Sequence, residues 1–225
     1  MLKLTNYDAV IFDMDGVLID SEPTWKLAME QAFKAVGCPL TPKEFQKTTG
    51  MRIDEVVSYW YEVAPWKDAS VKDVENSIVE KMVELILKEG VALEGVLDTL
   101  HFLKANNIKI GLATSSYCRL IDTVLSKLCI QNFFDVTHSA ENEKFGKPHP
   151  GVYLTTAEQL KCIPNRCLVI EDSLNGIISG KAATMEVVCI PEKSHLPNPK
   201  LILADYHFGS MTEFLNEIKC MINFD

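Results

Sequence analysis

Four apolar residues, Ala9-Val10-Ile11-Phe12, run directly into Asp13-Met14-Asp15-Gly16. A short apolar run closed by a turn signal reads as a buried strand. Two carboxylates at its end are costly there unless they bind a cation or carry out chemistry. In an open α/β sheet, ligands bind beyond the carboxyl ends of the strands. Strand alternation sends Asp13 and Asp15 to one side and Met14 to the other. One carboxylate of such a pair can attack as a nucleophile while its neighbour moves protons. An isolated Asp-x-Asp reads equally well as a solvated turn, so the rest of the chain decides.

After this strand the periodicity becomes helical. Residues 21–36 read as one helix, with Ser21 as N-cap and Gly37 past its end. Thr41-Pro-Lys-Glu44 has the form of a capping box with proline at the first helical position. Residues 52–63 and 70–89 read as further helices, and no convincing strand falls between about 20 and 91. From Leu93 the pattern alternates. A helix over 96–106 precedes the run Ile108–Ala113, and a helix near 117–128 follows. A short strand is expected at 133–136. Helix 150–160 precedes Cys167-Leu-Val-Ile170, and helix 174–183 precedes Glu186–Ile190. Strands alternating with helices predict a parallel sheet covered on both faces, an α/β Rossmann-like core, with the helical span inserted after its first strand.

Three more strand ends carry polar residues. Thr114, Ser115 and Ser116 follow Ile110-Gly-Leu-Ala113, where hydroxyls and backbone N–H groups make either an anion cradle or a plain N-cap. Lys147 lies in Phe-Gly-Lys-Pro-His-Pro, just before a helix. Glu171 and Asp172 end the run from Cys167. Carboxylates at two strand ends suit a hard cation such as Mg²⁺. The formal charge is −9 with no basic run, which argues against nucleic acid and against an anionic membrane surface. No apolar stretch approaches a membrane span, and the N-terminal residues lack the apolar core of a secretory signal. Seven scattered cysteines without C-x-x-C spacing fit reduced thiols and a cytoplasmic protein. The five histidines show no ligand spacing.

Together these residues resemble the motifs of the haloacid-dehalogenase-like hydrolase superfamily: D-x-D at Asp13/Asp15, a hydroxyl at Thr114, the lysine Lys147, and the acidic pair Glu171/Asp172, in order. The stretches Asp13-Met-Asp-Gly-Val-Leu-Ile-Asp-Ser-Glu-Pro23, Gly50-Met-Arg-Ile-Asp54, Gly146-Lys-Pro-His-Pro150 and Glu171-Asp-Ser-Leu-Asn-Gly176 are similar to the small sugar-phosphatase branch. That branch takes in 2-deoxyglucose-6-phosphate and hexitol phosphatases, with β-phosphoglucomutase a close relative.

The resemblance implies a catalytic core of residues 1–18 and 92–225 and an all-helical cap of residues 19–91. It implies Mg²⁺-dependent hydrolysis of a small sugar or polyol phosphate by a protein taken as a monomer. Asp13 would form an aspartyl-phosphate, and Asp15 would protonate the leaving oxygen and then deprotonate water. Asp13, the Asp15 carbonyl and Asp172 would hold the metal, with Glu171 assisting. Met14, Thr114, Ser115 and Lys147 would contact the phosphate. On the cap, Glu22, Trp25, Gly50 and Arg52 are the expected substrate contacts. β-Phosphoglucomutase carries a histidine on its first cap helix, where this sequence has Trp25. That departure favours a phosphatase over a mutase, and the match at every catalytic position favours it over a non-catalytic phosphate-binding protein.

Overall fold

A computed structural model describes residues 2–48, 50–192 and 198–222. His195 lies outside the described residues. Six strands form one parallel sheet: β1 (Ala9–Phe12), β2 (Lys109–Thr114), β3 (Val136–Ser139), β4 (Cys167–Glu171), β5 (Glu186–Cys189) and β6 (Tyr206–His207). Their order is β3-β2-β1-β4-β5-β6. β1 is central, with Ala9 opposite Lys109 on one side and Cys167 on the other. The chain builds outward from β1 in one direction, then returns to start β4 on its other flank. That reversal is the switch point at which open α/β sheets bind ligands.

The central strand is apolar throughout because both its faces are covered. Val10 and Phe12 join one buried cluster, and Ala9 and Ile11 the other. The first cluster is shared with the helices α5 (Val96–Ala105) and α6 (Cys118–Leu128); the second with α7 (Gly151–Gln159) and α8 (Leu174–Ala182).

Between β1 and β2 lie α1 (Glu22–Ala35), the single turn α2 (Pro42–Phe45), α3 (Ile53–Val63) and α4 (Val71–Glu89). No strand is found in this span among the described residues. Ala28, Phe33, Val57, Trp60, Ile78 and Met82 bury the apolar faces of α1, α3 and α4. Ser70 caps α4 by accepting from the Asp73 amide, while the Asp73 carboxylate returns to the Ser70 amide. The two connections to the sheet run side by side: Ile19 bridges Ala92, and the Leu93 amide donates to the Leu18 carbonyl at 3.0 Å.

Four expectations need correction. The strand expected at 133–136 begins only at Val136, after a 3-10 turn over Gln131–Phe133. Phe134 is extended but unpaired in the sheet, and its ring packs edge-on against Phe12, with ring centroids 6.4 Å apart. The Glu44 carboxylate accepts from the Thr41 amide and hydroxyl, the return half of the expected capping box, but the helix ends after one turn. Ser21 makes no capping bond. Beyond Ile190, β6 and the helix α9 (Met211–Ile222) were not anticipated, although Met211, Phe214, Leu215 and Ile218 are buried at helical spacing.

Candidate active site

The carboxyl ends of β1, β2 and β4 and the start of α7 converge on one cleft. Its volume is about 320 Å³, and helices α1 to α3 close its far side. Asp13, Asp15, Thr114, Ser115, Ser116, Lys147 and Asp172 line its floor. Met14 turns away into the core with no exposure, as strand alternation requires.

Lys147 organises the floor. Its ammonium donates to Asp13 Oδ1 and Glu171 Oε1, each at 2.7 Å, and to the Ala113 carbonyl at 3.1 Å and the Tyr153 hydroxyl at 3.0 Å. Four partners around a buried ammonium satisfy the rule that such charges are paired and hydrogen-bonded. Burial opposes its charge, but Asp13 and Glu171 hold it above the ordinary lysine range. Burial raises Asp13 to about 7; Lys147 pulls it down, while Glu171 and Asp15 push it up. Burial also works against the Glu171 charge, yet Lys147 draws that carboxyl below its usual range.

Asp15 is held differently. Its Oδ1 accepts from the Ser21 hydroxyl at 2.5 Å and the Trp25 indole N–H at 2.9 Å, and its Oδ2 accepts from Ser116 at 2.7 Å. Two of these donors, Ser21 and Trp25, come from the start of the first inserted helix. The serine hydroxyls can rotate to donate or accept, so Asp15 can gain or lose a proton without losing its partners; the indole can only donate.

Asp13, Glu171 and Asp172 each offer an oxygen, all within 4.8 Å of one another. Glu171 is already occupied: Oε1 accepts from Lys147 and Tyr153, and Oε2 from the amides of Asp172 and Ser173 and the Ser173 hydroxyl. Asp172 is left in crowded like charge. Desolvation first, then Glu171 and Asp13, hold its carboxyl well above the ordinary value. Lys147 is bonded to two of these carboxylates, Asp13 and Glu171, and leaves Asp172 without an ammonium partner of its own, so the oxygen-only set of Asp13, Glu171 and Asp172 fits a hard divalent cation.

Of the residues expected on the far side, Glu22, Trp25 and Gly50 line the cleft; Met29, Phe45, Met51, Ile53 and Val56 give it an apolar wall. Arg52 is not part of that lining. Its Nη1 donates to the carbonyls of Ala140 and Glu143, each at 2.8 Å, and Nε and Nη2 grip the Asp54 carboxylate. Three residues were missed by the sequence reading. Ser21 reads from sequence as a cap, Ser116 only as one of a hydroxyl cluster, and Tyr153, inside α7 and six residues beyond the loop residue Lys147, carries no local signal.

This floor, on this sheet, defines the class. The chain belongs to the haloacid dehalogenase-like hydrolase family, which it matches over residues 10–190. It is 36% identical over 206 residues to hexitol phosphatase B of Escherichia coli (strain K12), covering 91% of this chain and 93% of that protein. It is 34% identical over 182 residues to the phosphorylated carbohydrates phosphatase of Thermotoga maritima, covering 80% and 82%. Among solved structures, CbbY from Rhodobacter sphaeroides in complex with phosphate shares the fold at a TM-score of 0.83 and 23% identity, covering 92% of this chain and 96% of that one. No described helix is long and apolar enough to cross a membrane.

Proposed function

We propose that this protein is a Mg²⁺-dependent phosphatase that hydrolyses small sugar or polyol monophosphates through an aspartyl-phosphate on Asp13. The observation that carries this reading is the unequal treatment of two neighbouring carboxylates. Asp13 is pinned by Lys147, with no hydroxyl bonded to its carboxylate among the described residues, as suits an attacking oxygen. Asp15 sits in a cradle of two rotatable hydroxyls and an indole, as suits a proton carrier.

An Asp13 oxygen forms a bond to phosphorus as the bond to the sugar oxygen breaks, and that oxygen takes the Asp15 proton. Water then attacks phosphorus, gives a proton back to Asp15, and frees phosphate and the Asp13 carboxylate. Lys147 and the Thr114–Ser116 turn neutralise and orient the phosphoryl oxygens, which is most of what phosphoryl transfer requires. Asp13, Asp172 and the Asp15 carbonyl would hold Mg²⁺, with Glu171 acting through the groups it orients. The bound ion supplies charge neutralisation for the transferring phosphoryl group.

Residues 19–91 act as a closing cap. The cleft volume is near the lower end of small-molecule sites, roughly 300–1,000 Å³. Its largely apolar far wall and the 36% identical hexitol phosphatase both support a compact, weakly charged leaving group. A mutase reading is disfavoured by Trp25, whose indole contacts Asp15 but cannot carry its proton.

The test is phosphate release from a panel of hexose and hexitol monophosphates with Mg²⁺ or with EDTA. Turnover is expected only with Mg²⁺, and Asp13→Asn should leave below about 1% of kcat with the fold retained. Equal turnover in EDTA excludes the metal, and an active Asp13→Asn excludes the covalent route.

A further inference from the structure

Arg52 looks, from sequence, like the cap's hand on the substrate. Its surroundings give it other work. The side chain is 11% exposed. Nη1 donates to two main-chain carbonyls of the core, Ala140 and Glu143, and Nε and Nη2 engage Asp54 on its own helix. Four of the five guanidinium N–H groups are accounted for, and Glu55 stands 3.7 Å from Nη2. A phosphate or sugar hydroxyl would have to displace charge-assisted bonds already made.

The neighbouring side chain makes a second grip. Glu55 Oε1 accepts from the Gly146 amide at 3.3 Å, one residue before Lys147. Gly146 permits this approach: a Cβ there would lie 2.9 Å from both Arg52 Cγ and a Glu55 carboxylate oxygen. The gripped loop is anchored to the core from behind. The Glu143 carboxylate accepts from Thr155 at 2.7 Å and pairs with His138 Nε2 at 2.8 Å. The first turn of α3 thus holds a stretch of core backbone fixed independently of it.

We propose that Arg52 and Glu55 are a closure latch, positioning residues that seat the cap on loop 140–147 and set how much of the protein stands closed, and that Arg52 does not contact substrate. The inference rests on the phosphatase reading only for its kinetic arm. Closing energy held in cap–core bonds is common to every substrate that needs the lid, so its loss lowers all of them alike.

The test combines amide exchange with kinetics in Arg52→Met, Glu55→Gln and Gly146→Ala. Without substrate, exchange in the peptide spanning 140–147 should rise in each variant while sheet peptides stay protected. kcat/KM should fall by a common factor, roughly tenfold for Arg52→Met, across all hexose and hexitol phosphates. Acetyl phosphate, too small to need the cap, should change little. Arg52→Lys, which keeps a cation but loses the fork, should lie between wild type and Arg52→Met. The core-side Gly146→Ala, which lies outside the cleft lining, should reproduce the rise in exchange. Two results overturn the latch: unchanged exchange at 140–147, or losses in Arg52→Met confined to particular sugars. If wild type hydrolyses no phosphate ester, the phosphatase reading fails, while the exchange result still decides the latch.

Discussion

At the scale of single residues, the site is a negotiated charge balance that pH should expose. Asp13 binds its proton at about 7 in the folded chain against 3.8 when free, and Asp172 moves in the same direction. A carboxyl with a raised folded value stabilises the protonated native state, so its contribution is lost as pH rises from about 3.8 through 7. Glu171, Glu143, Asp8 and Asp135 are shifted downward; their stabilisation disappears only on acidification below the ordinary carboxylate range. In EDTA, melting temperature should therefore rise by a few degrees between pH 7.5 and 5.5, and with saturating Mg²⁺ that rise should vanish or reverse. A scan of melting temperature against pH with and without metal checks it. A fall on acidification in EDTA would mean that Asp13 is already ionised. Asp13, Asp15 and Asp172 stand out in the sequence because each closes an apolar run, whereas Lys147, on its own an ordinary surface lysine, stands out only through the family resemblance. Tyr153 does not stand out, because a tyrosine inside a helix carries no mark of the ammonium it will meet.

At the scale of elements, β4 and α8 make one device. The Glu171 carboxylate lies over the first turn of α8, and only Gly176 lets it: a Cβ there would come within 1.7 Å of Glu171 Oε1. Gly176→Ala must drive Glu171 off Lys147, unpairing a fully buried ion. The expected cost is about 3 kcal/mol, or roughly 10 °C in melting temperature, with activity lost as well. Thermal unfolding and phosphate release on the same preparation measure both; a stable, active variant would show that Glu171 can rearrange. Buried strands and long amphipathic helices were legible because periodicity alone marks them. The edge strand β3 reads too early in the sequence because its Thr137-His138-Ser139 is polar, while the apolar Phe133 and Phe134 before it pack against His101 and Phe12 without joining the ladder. Ser21 looked like a cap because a serine before a helix usually is one; its diversion to Asp15 depends on a tertiary contact that local sequence does not encode.

At the scale of the whole molecule, the proposed chemistry and the proposed selection draw on different parts of the chain. Trp25 belongs to both, lining the cleft from α1 while its indole touches Asp15. Trp25→Ala should shift preference among sugar and polyol phosphates and lower their kcat/KM by at least tenfold. Acetyl phosphate should lose much less; an equal loss would assign Trp25 to the proton carrier alone. The central place of β1 has one more consequence, on the path by which the site comes into being. Asp13 is synthesised ahead of both neighbours of its strand, one of which begins at Lys109 and the other at Cys167. Pairings this distant in sequence are slow to close, since a long loop must be ordered before they form. A ribosome-bound chain stalled before β4 therefore has the proposed nucleophile without Asp172 or a finished sheet, and on that proposal hydrolytic competence arrives only once β4 has been made.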